Sequence, residues 1–243
     1  MENATEKMPL TSHLEELRKT LMLSLGGLVV GVLVAVFFVK PILNFLAIPI
    51  GGMENLHAIE VTETMSVYMR VALLGGLIVA LPWILFQIFD FVSKGLKATE
   101  KKGIYLALPF AVALFLAGVA FAYFIMLPAS LGFFQEILEV TTTIRIKSYF
   151  SFTTNLLFWI GVSFQMPLIF FILTKVGLVD YKMLVRGWRV AIVTIAVLAA
   201  IITPTGDPIN MLIFMVPLSV LYLLSILLSV MAGKRARTED KEE

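Results

Sequence analysis

The sequence predicts an all-α membrane protein: six transmembrane helices in a curved bundle with a concave face, both ends cytoplasmic. Three observations predict it. Of 243 residues, 59% are hydrophobic and only 15% are charged, against about 25% charged in an average soluble domain. A soluble globule of this size has too little interior to hide that much apolar surface. Six apolar stretches recur at or near the roughly 20 residues needed to cross about 30 Å of hydrocarbon. Basic residues gather on alternate loops, as the positive-inside rule requires.

The spans follow in order, and the chain reads as one polytopic unit over 1–243. The first, about 20–39, carries no charge. The second covers about 71–89. The third, about 104–128, is cut from an uncharged run over 104–135, too long for one upright crossing, so its last residues are expected at the outer surface. The fourth, about 152–174, contains Pro167. The fifth, about 190–203, would rise only about 21 Å as a helix, so local thinning of the bilayer is expected. The sixth, about 209–231, contains Pro217, and a charged tail occupies 234–243. Prolines in spans three, four and six predict kinks, and kinked, unequal helices predict the concave face.

Orientation follows from the loops. The N-terminal segment, the loops after spans two and four, and the tail hold fifteen Lys and Arg; the other three loops hold four. The first group is therefore expected in the cytoplasm. Residues 1–11 are polar and carry acids, unlike a cleavable signal peptide. The first span is expected to act as its own insertion signal.

Much chemistry is excluded. The net charge is +2, and no basic cluster interleaves with aromatics, so no nucleic acid is expected. The chain has no cysteine, which removes disulfides, zinc thiolates, iron–sulfur clusters and cysteine nucleophiles. His13 and His57, the two histidines, fall on opposite faces of the predicted topology and cannot share a metal. No phosphate loop, dinucleotide fingerprint, HExxH or GxSxG occurs. Neither enzyme activity nor a cofactor is expected. No charged residue lies deep in any span, which argues against a proton-relay pump. A small secondary transporter or channel subunit, with solute contacts at Gln165, is the alternative reading; a structural scaffold is a second.

Ser12 and Glu15 fit a capping box at the start of a helix. Leu10, Leu14, Leu17 and Leu21 recur at helical spacing and lead an amphipathic turn into span one. Arg18 and Lys19 fit interfacial snorkelling. Glu16 has no such local role and sits where anionic lipid would repel it. Gly95 suits the end of span two. Glu100 fits the first turn of the next helix, where the dipole favours an acid. The topology brings Glu16 and Glu100 to one face of the membrane, where two separated carboxylates form a site for a dication. Gln165, near the centre of span four, is either packing glue between helices or a polar point lining a wet groove.

Pro9-Leu10 and His13-Leu14-Glu15-Glu16-Leu17-Arg18 stand before span one, Pro49 in the first outer loop, and Leu81-Pro82-Trp83 through Phe91 at the end of span two. Gly118 with Phe121-Ala122-Tyr123-Phe124 and Pro128 follows, then Ser163-Phe164-Gln165-Met166-Pro167, and Thr203-Pro204 with Asp207. This pattern resembles TatC, the large receptor subunit of the twin-arginine protein translocase, from Pro9 to about Gly233. The resemblance implies recognition of signal peptides bearing two consecutive arginines. It implies work with single-span TatA and TatB subunits, self-association within the complex, and export of folded proteins across the cell membrane on the proton-motive force. It places Glu16 and Glu100 on the arginine pair, with Leu17 and Arg18 of the same motif and Phe91 nearby. Gln165 falls on the concave face, Pro49 and Asp207 at outer turns, and span five becomes the docking site for TatA or TatB. Family members usually carry proline where Lys94 stands, and Lys101 replaces a common arginine.

Overall fold

The computed structural model describes residues 10–94, 98–138, 144–203 and 208–239. Almost all of them are helical. Helix α1 (Leu10–Val36) is followed by the short α2 (Val39–Ala47), and after two single turns by the two-residue strand β1 (Leu56–His57). Then come α3 (Val61–Lys94) and α4 (Ala98–Phe121), a π-helical turn at Ala122–Met126, and α5 (Leu127–Leu138). Strand β2 (Ile144–Arg145) precedes α6 (Ile146–Ser163) and α7 (Met166–Lys175). The chain closes with α8 (Tyr181–Arg186), α9 (Trp188–Ile202) and α10 (Pro208–Glu239).

Five helical segments, within 14–36, 61–94, 105–132, 146–175 and 211–232, are long and apolar enough to cross a membrane. The sixth apolar segment of the predicted topology, α9, has only 15 residues, about 22 Å of helix. By contrast, the 34 residues of α3 make about 51 Å of helix, well beyond the hydrocarbon thickness. Both ends of this long helix carry charged side chains. One end carries Glu63, the other Asp90 and Lys94.

Helices α1 and α3 approach until their backbones touch. A Cβ added at Gly76 would fall 2.6 Å from the Cα of Val32, so no larger residue fits this crossing. Small residues at a crossing permit the van der Waals packing that drives helix association in lipid. Gly118 of α4 and Gly161 of α6 accept Phe164 and Phe115 in the same way. Around them lies a core of fully buried side chains, including Phe115, Phe150, Leu156, Ile160, Phe214 and Leu218.

Proline acts unevenly. The α6–α7 helix breaks at Phe164-Gln165, with Pro167 in the first turn after the break. The π-turn stands just before Pro128. Pro82, Pro109 and Pro217 sit inside uninterrupted helices, so the kinks expected from Pro109 and Pro217 do not appear as breaks. The run after Pro128, expected at the outer surface, is helical to Leu138. The described residues begin at Leu10, already within helix α1, and the expected cap position Ser12 lies inside that helix.

At the end carrying α2, three tyrosine hydroxyls donate to carbonyls of or just before that helix. These are Tyr68 to Val36 (2.9 Å), Tyr123 to Phe45 (2.6 Å) and Tyr149 to Leu46 (2.5 Å). Pro49 opens the single turn after α2 and is half-buried. Strands β1 and β2 pair in parallel, Leu56 with Ile144 and His57 with Arg145.

Candidate functional site

The opposite end of the bundle carries Glu16. Its carboxylate projects from the second turn of α1 and meets the C-terminal turn of α3. Lys94 Nζ lies 3.4 Å from Glu16 Oε1 and 3.6 Å from Asp90 Oδ2. Asp90 and Lys94 are four residues apart, so they share one helix face. The Tyr105 hydroxyl donates to Asp90 Oδ1 at 3.0 Å, which ties α4 to the same cluster. Ser93 Oγ donates to the Asp90 carbonyl at 2.8 Å. The end of α3, the beginning of α1 and the beginning of α4 thus converge on one patch.

An aromatic ladder supports the patch from below. Tyr105 stands 6.3 Å from Phe86, and Phe86 6.2 Å from Trp83, between ring centroids. The Trp83 indole N–H donates to the Leu23 carbonyl of α1 at 3.1 Å. Sequence spacing 83, 86, 90 places these groups on one face of α3, and Tyr105 links the ladder to Asp90.

The electrostatics are unbalanced. Among the described side chains of the cluster, Glu16 and Asp90 bring two negative charges and Lys94 one positive. Glu16 is 25% exposed and Lys94 35%. The second oxygen of Glu16, Oε2, is buried and, among the described residues, accepts no hydrogen bond. A buried carboxylate oxygen without a donor is costly, so the site is short of a donor.

The other sequence-derived residues distribute as follows. Leu17 and Arg18 are exposed on α1 beside Glu16. Phe91 is half-buried on α3, one residue after Asp90. The backbone of Glu100 lies in the first turn of α4, on the same side of the bundle as Glu16; its side chain lies outside the described residues. Asp207 and Gly95 also lie outside them. Gln165 is buried, and its Nε2 donates to the Ala111 carbonyl of α4 at 2.8 Å. That bond uses the amide as a tie between α4 and the α6–α7 break. A groove of about 740 Å³ opens between α6–α7 and α8–α10, lined by Trp159, Ser163, Met166, Thr194 and Tyr222 among others, without Gln165.

Sequence reasoning missed Asp90 and Tyr105, and took Lys94 only as a departure from a pattern. The spacing of Asp90 and Lys94 was the available signal. It also missed the fully buried Glu63 of α3, which Arg145 engages through Nε and Nη2. Arg145 reaches Glu60 as well, at 3.2 Å, and the Ile59 N–H donates to Glu63 Oε2 at 3.2 Å. The hydrogen bond to Glu63 pushes the Arg145 guanidinium above its ordinary range. Among the described residues no cluster of His, Asp or Glu is grouped to hold a metal.

The family model for the Sec-independent protein translocase protein (TatC) matches residues 12–217. The chain belongs to the TatC family. The TatC of Carboxydothermus hydrogenoformans is 35% identical over 91% of this chain and 93% of its own length. TatCy of Bacillus subtilis is 35% identical over 95% of this chain and 92% of its own. A crystal structure of the twin-arginine translocase receptor TatC superposes with a TM-score of 0.82 at 32% identity, covering 90% of this chain and 99% of that one. A second, in the detergent DDM, gives a TM-score of 0.83 at 31% identity, covering 89% and 99%. As in TatC, the architecture is that of an all-helical membrane protein, and the chain is a transport subunit and not an enzyme.

Proposed function

We propose that this TatC-family chain is the signal-peptide receptor of a twin-arginine translocase, with Glu16 and Glu100 as the acids that hold the arginine pair. The observation that carries the reading is Glu16: a half-buried carboxylate at a junction of helix ends, with one oxygen that has no donor among the described residues. A guanidinium is always charged and presents a planar fork that meets both oxygens of a carboxylate. Two adjacent arginines need two acids on a rigid frame, and the beginnings of α1 and α4 supply it. Phe91, Leu17 and Arg18 border the same patch.

In this reading the chain crosses the membrane near 20–39, 71–89, 104–128, 152–174, 190–203 and 209–231. The N-terminus, the 90–103 loop, the loop before α9 and the C-terminal tail face the cytoplasm, supported by the fifteen-to-four bias of basic residues. The receptor works with TatA and TatB subunits, which meet the short α9, and with further copies of itself. Together they export folded proteins on the proton-motive force. The apolar part of the signal peptide runs along the lipid-facing side of the bundle. Pro49 belongs to the opposite surface, and the resemblance assigns Asp207 there as well. The small-transporter reading is not favoured, because Gln165 is spent on a helix tie.

Pull-down in detergent with immobilised peptides tests the proposal. A twin-arginine signal peptide should retain the protein, and the twin-lysine version should not, because an ammonium is a point charge. Equal retention by the two peptides would remove the reading.

A further inference from the structure

The Glu16 site is already occupied by a cation of the chain itself. Lys94 Nζ lies 3.4 Å from Glu16 Oε1, where an incoming positive group would dock. The same ammonium is 3.6 Å from Asp90 Oδ2 on its own helix. Asp90 is held in place by Tyr105 at 3.0 Å. Lys94 therefore has a second carboxylate within reach and does not become an unpaired charge when it leaves Glu16. The resident contact is also incomplete. It serves one oxygen of Glu16 and leaves Oε2 buried with no donor among the described residues, whereas a guanidinium fork serves both.

From this geometry we infer that Lys94 is a built-in competitor that sets the affinity of the signal-peptide site: it holds Glu16 in the empty receptor and is left to Asp90 alone when a peptide arginine takes Glu16. This rests on the reading of Glu16 as a guanidinium acceptor. The exchange makes no covalent bond and moves no proton; one cation replaces another on Glu16. A displaced competitor costs every incoming ligand the same amount. It therefore lowers affinity for arginine and lysine peptides by one common factor, and it leaves their ratio alone. The discrimination comes from the free oxygen, the affinity threshold from Lys94.

Fluorescence anisotropy with labelled twin-arginine and twin-lysine peptides on the purified full chain in detergent tests this. A partly exposed pair of this kind contributes up to about 1 kcal/mol, which is about fivefold in Kd. Lys94→Gln should tighten both peptides by up to about fivefold and leave their ratio unchanged. Lys94→Arg should weaken both, because a resident fork fills both oxygens. A second arm couples Glu16 to Lys94 with a carbodiimide and reads the joined fragment by mass spectrometry. Saturating twin-arginine peptide should suppress the coupling. Unchanged or weakened binding in Lys94→Gln, a changed ratio, or coupling indifferent to peptide would each overturn the competitor role. If the wild type still prefers the twin-arginine peptide in those cases, the receptor reading survives them. If the wild type shows no preference, the receptor reading falls and the competitor role with it.

Discussion

The two ends of the bundle treat their polar groups in opposite ways. At the α2 end, Glu63 is fully buried and Arg145 closes on it, with Glu60 and the Ile59 N–H completing the set. Two tyrosine hydroxyls bond carbonyls of α2, and a third bonds the last carbonyl of α1 just before it. The donors and acceptors named there are spent on the chain itself. At the Glu16 end, the acids are half-exposed, one ammonium is shared between two carboxylates, and a buried oxygen has no donor among the described residues. The comparison separates what holds the fold from what waits for a ligand. Substitutions at the α2 end should damage the receptor by unfolding it, and those at the Glu16 end should damage binding alone.

The largest effect is expected from Arg145→Ala. It leaves Glu63 buried without its counter-charge, the most destabilising way to disturb a buried pair. The folded, monodisperse fraction in detergent should collapse on size-exclusion chromatography. Replacing both Glu63 and Arg145 by Met should recover more of that fraction than the single change does, because no lone charge remains. Glu16→Ala comes next, with the opposite signature. Losing a charge-assisted bond of about 1.5–3 kcal/mol weakens twin-arginine peptide binding roughly ten- to a hundredfold, while the melting midpoint in detergent stays put. If Glu16→Ala instead melted as badly as Arg145→Ala, the contrast between the ends would fail.

Smaller changes sharpen the contrast. Tyr149→Phe removes one hydroxyl bond to Leu46, about 1 kcal/mol, and should lower the melting midpoint by about 2–4 °C with peptide affinity unaltered. Gln165→Leu removes the tie to Ala111. Side-chain bonds between helices in lipid average about 0.6 kcal/mol, so this should be the mildest of the set. A solute- or peptide-binding defect larger than its stability loss would return Gln165 to the functional list.

The fold class was legible because lipid exposure writes itself into long uncharged runs, as at 20–39 and 211–232. Helix α2 was not, because its nine residues follow α1 with only the break at Phe37-Phe38 between them, and Lys40 and Pro41 gave it the look of a loop. Proline gave an ambiguous signal. Pro167 marks a true break, whereas Pro217 stays within α10. One lost backbone bond is tolerated where neighbouring helices hold the segment. Glu16 stood out in sequence because nothing local explained it. Its contact with Lys94 did not, since ion pairs between distant helix ends leave no periodic trace. The same holds for Arg145 and Glu63, 82 residues apart.

The central claim is that carboxylates at the joined beginnings of α1 and α4 read arginine. Titrating the Glu16→Gln, Glu100→Gln double variant with twin-arginine and twin-lysine peptides tests it most directly, since both replacements keep shape and remove charge. The account predicts that the preference for arginine vanishes in a protein that melts like the wild type. An undiminished preference would contradict it.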